Sequence, residues 1–327
     1  MAGKIARKGQ LVMQSRSLGR SGIRVAPLAF GGNVFGWTAD EATSFRLLDT
    51  FVDAGLNLID TADVYSSWVP GNRGGESETI IGKWLARTGK RDRVVIATKV
   101  GYDLKDAGKG LSRAHILKSI DLSLARLQTD RVDLYQSHAE DPVTPHEETL
   151  ATYAELIKAG KVRAIGASNF KPQTLREALA VSARLGLPRY ETLQPLYNLY
   201  DRAGFEAELG PLCRDEGIGV IPFFALAAGF LTGKYKTEAD LAQSARGQRA
   251  KTYLNERGLR IIAALEEVAA GLGSAPGNVA VAWLMAQPGI TAPIASGRTV
   301  EHVRDLVAAT HLVLDTTTLE KLARASA

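Results

Sequence analysis

The chain has 327 residues, is 45% hydrophobic, and carries a net charge of +5 with a single cysteine. That is enough apolar material for one barrel or two modest domains, and one cysteine excludes an intramolecular disulfide. Charges or turn residues interrupt every apolar run before the roughly 18 residues of a membrane-spanning helix, so no membrane partner is expected.

Positive charge gathers at the start: Lys4, Arg7, Lys8, Arg16, Arg20 and Arg24 all precede Asp40, the first acidic residue. Residues 1–14 read as a flexible, solvated basic extension and 15–327 as one domain. A nucleic-acid partner would want basic residues interleaved with aromatics, and none are found. An organellar presequence would also be Arg-rich, but barrel-like patterning begins near Ser15 and leaves little removable length. The expected location is cytoplasmic, and the excess charge would attract an anionic cofactor.

RSLGRSGIRV reads as a β-hairpin that can plug the floor of a barrel. Eight strand candidates follow: VAPLAFGG, LNLIDTA, RVVIATK, VDLYQSH, VRAIGAS, YETLQP, IGVIPFF and TAPIAS. Helical stretches separate them. Thr38 is placed to cap the first, with Glu41 completing a capping box. Further helices are expected over Glu76–Trp84, Ser112–Leu127, Pro145–Ala159, Pro172–Leu185, Gly204–Glu216 and as a pair after Asn255. Cys213 falls inside one of these patterns and reads as core. Eight β/α alternations without a composition break predict a single (β/α)8 barrel of the TIM type. A doubly wound sheet would want GxGxxG after the first strand, and FGGNVFGW lacks that order.

In such a barrel, active residues gather at the C-terminal ends of the strands. Asp60, Lys99 and His138 fall at the ends of the second, third and fourth strands, and Tyr65 lies just beyond the second. Neighbouring parallel strands are about 4.8 Å apart, so these side chains can converge. Singly, each has a plain structural reading: a strand-end lysine, a core histidine, a rim aromatic, a turn-capping aspartate. Together they do not. Lys99 follows a strand core where an unpaired charge is costly, so it needs a carboxylate such as Asp60. Asp63 is the other candidate, although its place in the turn favours capping. A phenol beside an ammonium and a carboxylate is the equipment of a tuned proton donor.

The runs GLNLIDTADVY, GESETIIGKWL, VIATKV, VDLYQSHAED, KVRAIGASNF, LQPLYNL, VIPFFALAAGFLTGKY and ITAPIASGR together resemble the aldo-keto reductases. The resemblance runs in order from about Ser15 to the C-terminus. It implies a barrel that binds a nicotinamide cofactor, usually NADPH, and reduces aldehydes or ketones, with no metal. It further implies that Asp60, Tyr65, Lys99 and His138 form the catalytic set. Tyr65 would act as general acid, Lys99 would lower the Tyr65 pKa, and Asp60 would keep Lys99 charged. His138 would donate a hydrogen bond to the carbonyl oxygen.

By the same resemblance Ser168, Asn169 and Gln194 hold the nicotinamide carboxamide, and Phe223 stands where a tyrosine often stacks on the ring. Phe224 and Ala225 replace a hydroxyl and a proline beside the pyrophosphate. Backbone amides near Leu226 and Gly229, with Lys234, are expected to serve there. Ser296 and Arg298 occupy the segment for the adenosine 2′-phosphate, which the Arg298 fork suits. His302 and Leu306 depart from the family pattern at the adenine end, which leaves NADH as an alternative cofactor. Trp37 and Trp68 can wall the substrate pocket. Pro70 and Gly71 in SSWVPGNRGG suggest a formed turn beside it. An open pocket would suit sugar-like or bulky carbonyls.

Two other functions fit the barrel. A nicotinamide-binding, redox-sensing module with little turnover would resemble the channel-associated members of the family. A Schiff-base aldolase would use Lys99 as nucleophile, which nearby Asp60 should oppose by keeping it protonated.

Overall fold

A computed structural model describes residues 14–104 and 108–327, so nearly all of the basic stretch 1–14 lies outside the described residues. Two short strands, β1 (Arg16–Ser17) and β2 (Arg24–Val25), pair antiparallel as the expected hairpin. Then come β3 (Ala29–Gly31), β4 (Leu58–Asp60), β5 (Val95–Val100) and β6 (Val132–Ser137). The set is completed by β7 (Val162–Ser168), β8 (Tyr190–Gln194), β9 (Gly219–Val220) and β10 (Ile294–Ala295). β3 to β9 pair in parallel in chain order, and β10 joins the open side of β3. Hydrogen bonds from Thr291 N to Val220 O (2.7 Å) and Ile294 N to Pro222 O (2.8 Å) link the last strand back to β9. The result is the (β/α)8 barrel that the alternation predicts.

The two-residue period of a strand explains the interior. Val95 and Ala97 of β5 join an inner apolar cluster with Ala29, Leu58, Leu134 and Ala164, whereas Ile96 and Val100 pack outward among the helices. Continued toward the C-terminal ends, the inward positions become Asp60, Lys99, Gln136 and Gln194. The barrel is therefore apolar at its floor and polar at its mouth. Leu18, Ile23 and Val25 of the hairpin join the same inner cluster and close the floor. Gly19 has φ +56° there, and a Cβ on it would lie 2.1 Å from the Glu191 carbonyl oxygen, so only glycine lets the hairpin seat.

The helices match their expected positions with informative exceptions. Thr38 is not the first cap. Thr38 N and Ala39 N both donate to Val34 O, which commits Thr38 to a preceding turn. Asp40 is extended and accepts from Thr43 N at 2.8 Å, so it caps Glu41–Asp53. The second helix runs on to Thr88, ended by Gly89 in the left-handed conformation. The stretch after Gly204 begins as a wide π turn, Phe205–Leu209, before Gly210–Glu216; Pro211 lacks the N–H that a regular turn would use. After β9 the chain runs through short, irregular helical turns from Ala227 to Tyr253. Asn255 caps Glu256–Leu272, and Pro276–Ala286 follows at 94° to it. No single described helix is long and apolar enough to cross a membrane. Cys213 is buried in the core, its thiol pushed up to about 12 by desolvation.

Candidate active site

The C-terminal mouth opens into a cavity of about 790 Å³. Asp60 ends β4, and its partners fix it from both sides. Oδ2 accepts from Lys99 Nζ at 2.7 Å, and Oδ1 accepts from Gln194 Nε2 at 2.8 Å and Gln136 Nε2 at 3.4 Å. Lys99 is fully buried behind this carboxylate. Its remaining donors reach Thr61 O at 2.7 Å and the Tyr65 hydroxyl at 2.9 Å, so all three N–H groups have acceptors. Tyr65 donates to Asp60 Oδ2 at 3.2 Å. Three of the four expected residues thus form one hydrogen-bonded cluster. His138 follows β6 and meets the Tyr65 ring edge-on at 6.1 Å.

Burial governs the protonation of this cluster. Desolvation, reinforced by the Asp60 charge, raises the Tyr65 pKa well above that of an ordinary phenol. The expected lowering by Lys99 is therefore outweighed in the free site. Desolvation also lowers the Lys99 pKa, against the opposing pull of Asp60. His138 is pushed well below the usual imidazole value by burial and then by Lys99, which keeps it neutral. Asp63 has both carboxylate oxygens buried without a well-formed hydrogen bond among the described residues, so the expected cap is reduced to a weak contact with the neighbouring Val64 N–H. Burial, and then the Glu78 charge, raise its pKa to about 8.

The expected cofactor residues line one continuous groove. Ser168 Oγ donates to Gln194 O at 3.0 Å, which joins β7 to β8 at their ends. Asn169 has φ +57°, and its Nδ2 donates to His138 O, Ser168 Oγ and the Tyr102 hydroxyl. Phe223 meets Phe224 edge-on at 5.3 Å. Left-handed non-glycine backbone is concentrated nearby, at Ser66, Asn169, Phe224, Ala227 and Ala228. Such conformations cost roughly 1–3 kcal/mol each and persist where surrounding structure enforces them. The Gly229 amide donates to Leu226 O at 2.8 Å, so it is already committed and does not stand free for an anion. Lys234 Nζ lies 3.2 Å from where a Gly229 Cβ would be. Ser296 Oγ donates to Gly31 O at 2.8 Å, and His302 Nδ1 accepts from the Arg298 amide at 3.4 Å.

Several lining residues had no place in the sequence reading: Asn33, Tyr102, Arg246 and Arg249. Oriented by its partners, the Asn33 amide donates to Ser296 Oγ at 2.8 Å and accepts from Arg246 at 2.7 Å. The Arg246 guanidinium lies 5.3 Å over the Trp37 ring, and burial lowers its pKa to about 10. Each of these residues follows the C-terminal end of a strand, where a barrel displays its loops. That rule was the available signal; the turns carrying Arg246 have no periodicity to draw attention to them.

On the substrate side Trp37 and Trp68 meet edge-on at 5.7 Å, and Trp68 meets Tyr65 at 6.1 Å. Trp68 is 44% exposed. The loop that carries Trp68 is formed, as Pro70 and Gly71 suggest: successive turns run from Ala62 to Asn72. Asn72 Nδ2 staples it to Gly36 O at 3.0 Å.

Fold and site define a parallel (β/α)8 barrel with its chemistry at the C-terminal mouth. The chain belongs to the aldo/keto reductase family, whose model matches residues 27–327. It is 38% identical over 318 residues to the uncharacterized oxidoreductase YrpG of Bacillus subtilis (strain 168), covering 95% of each chain. It is 36% identical to the aldo-keto reductase YhdN of the same organism, over 85% of this chain and 82% of that one. A probable voltage-gated potassium channel subunit beta from Oryza sativa subsp. japonica is 35% identical, over 89% of this chain and 88% of its own. Membership makes the protein an oxidoreductase of a carbonyl-reducing family that generally uses nicotinamide cofactors.

Proposed function

We propose that the protein reduces aldehydes or ketones to alcohols with NADPH, using Tyr65 as general acid. The observation that carries this reading is the buried chain from Asp60 through Lys99 to the Tyr65 hydroxyl, at 2.7 and 2.9 Å. When bound, the nicotinamide supplies the hydride. The protein's own groups handle the oxygen. The Tyr65 O–H turns from Asp60 Oδ2 to the substrate oxygen and gives up its proton there, since an alkoxide is far more basic than a phenolate. Lys99, 2.9 Å away, then stabilises the phenolate. Neutral His138 donates a hydrogen bond to the same oxygen. Tyr65→Phe keeps the ring and removes the proton, so cofactor affinity should stay while turnover falls about 100-fold or more. Retained turnover in the purified variant would overturn the assignment.

The groove fits such a cofactor. Lys234, Arg246, Arg249 and Arg298 line one part of it and form no ion pair among the described residues, against Asp305 as the acid beside them. Unspent cations suit a pyrophosphate and a 2′-phosphate. Asn169 and Gln194 spend their amide nitrogens on the protein, which leaves their oxygens to accept from a carboxamide. Phe223 supplies an apolar face for the ring. Fluorescence titration should show tighter binding of NADPH than NADH, with Arg298→Ala removing most of the difference. Equal affinities in the unaltered protein would sink the Arg298 role.

A Schiff-base mechanism is disfavoured because Lys99 has no exposed surface and all its donors are engaged. The similarity to a channel beta subunit favours one second reading, a nicotinamide-sensing module with little turnover. NADPH oxidation with a panel of small, sugar-like and bulky carbonyls separates the two, because tight cofactor binding with no turnover would support the module. Activity confined to small aldehydes would oppose a pocket built for bulky substrates between Trp37 and Trp68.

A further inference from the structure

The orientation of His138 is not set by a hydrogen bond to its inner nitrogen. Nδ1 is buried and has no partner among the described residues. A ring unanchored at that atom depends on packing. Tyr65 meets the ring edge-on at 6.1 Å, and Tyr102 packs closer on it, with ring centroids 4.1 Å apart and planes inclined by 42°. Tyr102 is itself keyed in place. Asn169 Nδ2 donates to the Tyr102 hydroxyl at 3.2 Å and to His138 O at 3.0 Å. One amide therefore ties the phenol to the backbone of the residue whose ring that phenol covers. The route of the chain explains the arrangement. Gly101 has φ +128°, open to glycine alone, and this turn carries Tyr102 from the end of β5 across to the end of β6.

We propose that Tyr102 is a positioning residue, whose ring holds the His138 imidazole with Nε2 directed at the substrate carbonyl oxygen. The neutral ring carries one proton, and a donor at the buried Nδ1 would have no acceptor, so the proton belongs on Nε2. This inference rests on the reading of His138 as the donor to the carbonyl oxygen.

The test uses the cofactor-loaded enzyme and a reducible aldehyde. Tyr102→Ala should lower kcat about tenfold or more, because a misplaced donor acts mainly on the transition state. Tyr102→Phe keeps the ring and should restore most of that loss, and cofactor affinity by fluorescence should be unchanged in both. In the double variant with His138→Ala, the loss should equal that of His138→Ala alone. A raised KM at unchanged kcat, or losses that multiply, would show that Tyr102 only walls the pocket and would overturn the proposal. A second readout needs no turnover. The 15N signals of the His138 ring in the free protein should shift or broaden in Tyr102→Ala and be retained in Tyr102→Phe. Signals unchanged in Tyr102→Ala would also overturn it. Should His138→Ala keep full turnover, the donor reading fails, while the ring signals still decide the positioning.

Discussion

Tyr65 shows how burial can oppose the pairing that a sequence suggests. An ammonium at 2.9 Å favours the phenolate, yet desolvation and the Asp60 charge favour the phenol more strongly. The free site therefore stores its proton. For a reductive reaction the sign is favourable: the acid must be protonated, and a raised pKa moves the loss of that proton upward. His138 is shifted the other way, below the imidazole range, so it stays neutral across the same interval. We expect kcat for carbonyl reduction to be level from about pH 6 to 9 and to fall only above about pH 10, the ordinary phenol value. Steady-state kinetics at constant ionic strength check this. A limb centred near the ordinary imidazole value of about 6.5 would contradict a neutral His138.

Among the elements, β4 and β5 were legible because each is a short apolar run with a polar residue at an inward position at or next to its C-terminal end. Asp60 and Lys99 could be located on that basis, since the period of two holds wherever a strand forms, whereas Gln194 was reached only through the family resemblance. The caps and turns were less legible. Thr38 and Asp40 both have short oxygen-bearing side chains before the same helix, and the sequence does not reveal that Val34 O already holds Thr38. Arg246 was missed because its position depends on Asn33 and Trp37, far away in sequence. The cap assignment can be tested directly. Asp40→Ala should lower the urea midpoint measurably, because the Thr43 amide loses its side-chain cap. Thr38→Val should cost much less, because Thr38 Oγ1 is buried without a partner among the described residues. Equal losses would restore Thr38 as part of the cap.

Across the whole molecule, the outward face of the barrel carries a second buried polar system, just behind the mouth. Glu78 accepts from Thr98 Oγ1 at 2.5 Å and from Arg126 Nε at 2.7 Å, linking a strand and two helices. Asp63 lies in the field of Glu78, Arg126 and Lys99, with the Val64 N–H beside it but no well-formed side-chain hydrogen bond among the described residues. Its pKa of about 8 in the folded chain compares with an ordinary 3.8. Between roughly those values the folded state keeps a proton that the unfolded chain has released, so stability falls as pH rises through that window. This is the reverse of the usual aspartate, whose pairing stabilises the fold at higher pH. The urea midpoint of the unaltered protein should therefore drop between pH 5 and pH 8.5 by more than that of Asp63→Asn, which cannot ionise. At pH 5 the two should be close, because the amide resembles the protonated acid in shape and lacks charge. Parallel pH dependence in the two proteins would mean that Asp63 is ionised throughout, held by Arg126 and Lys99 more firmly than its burial allows.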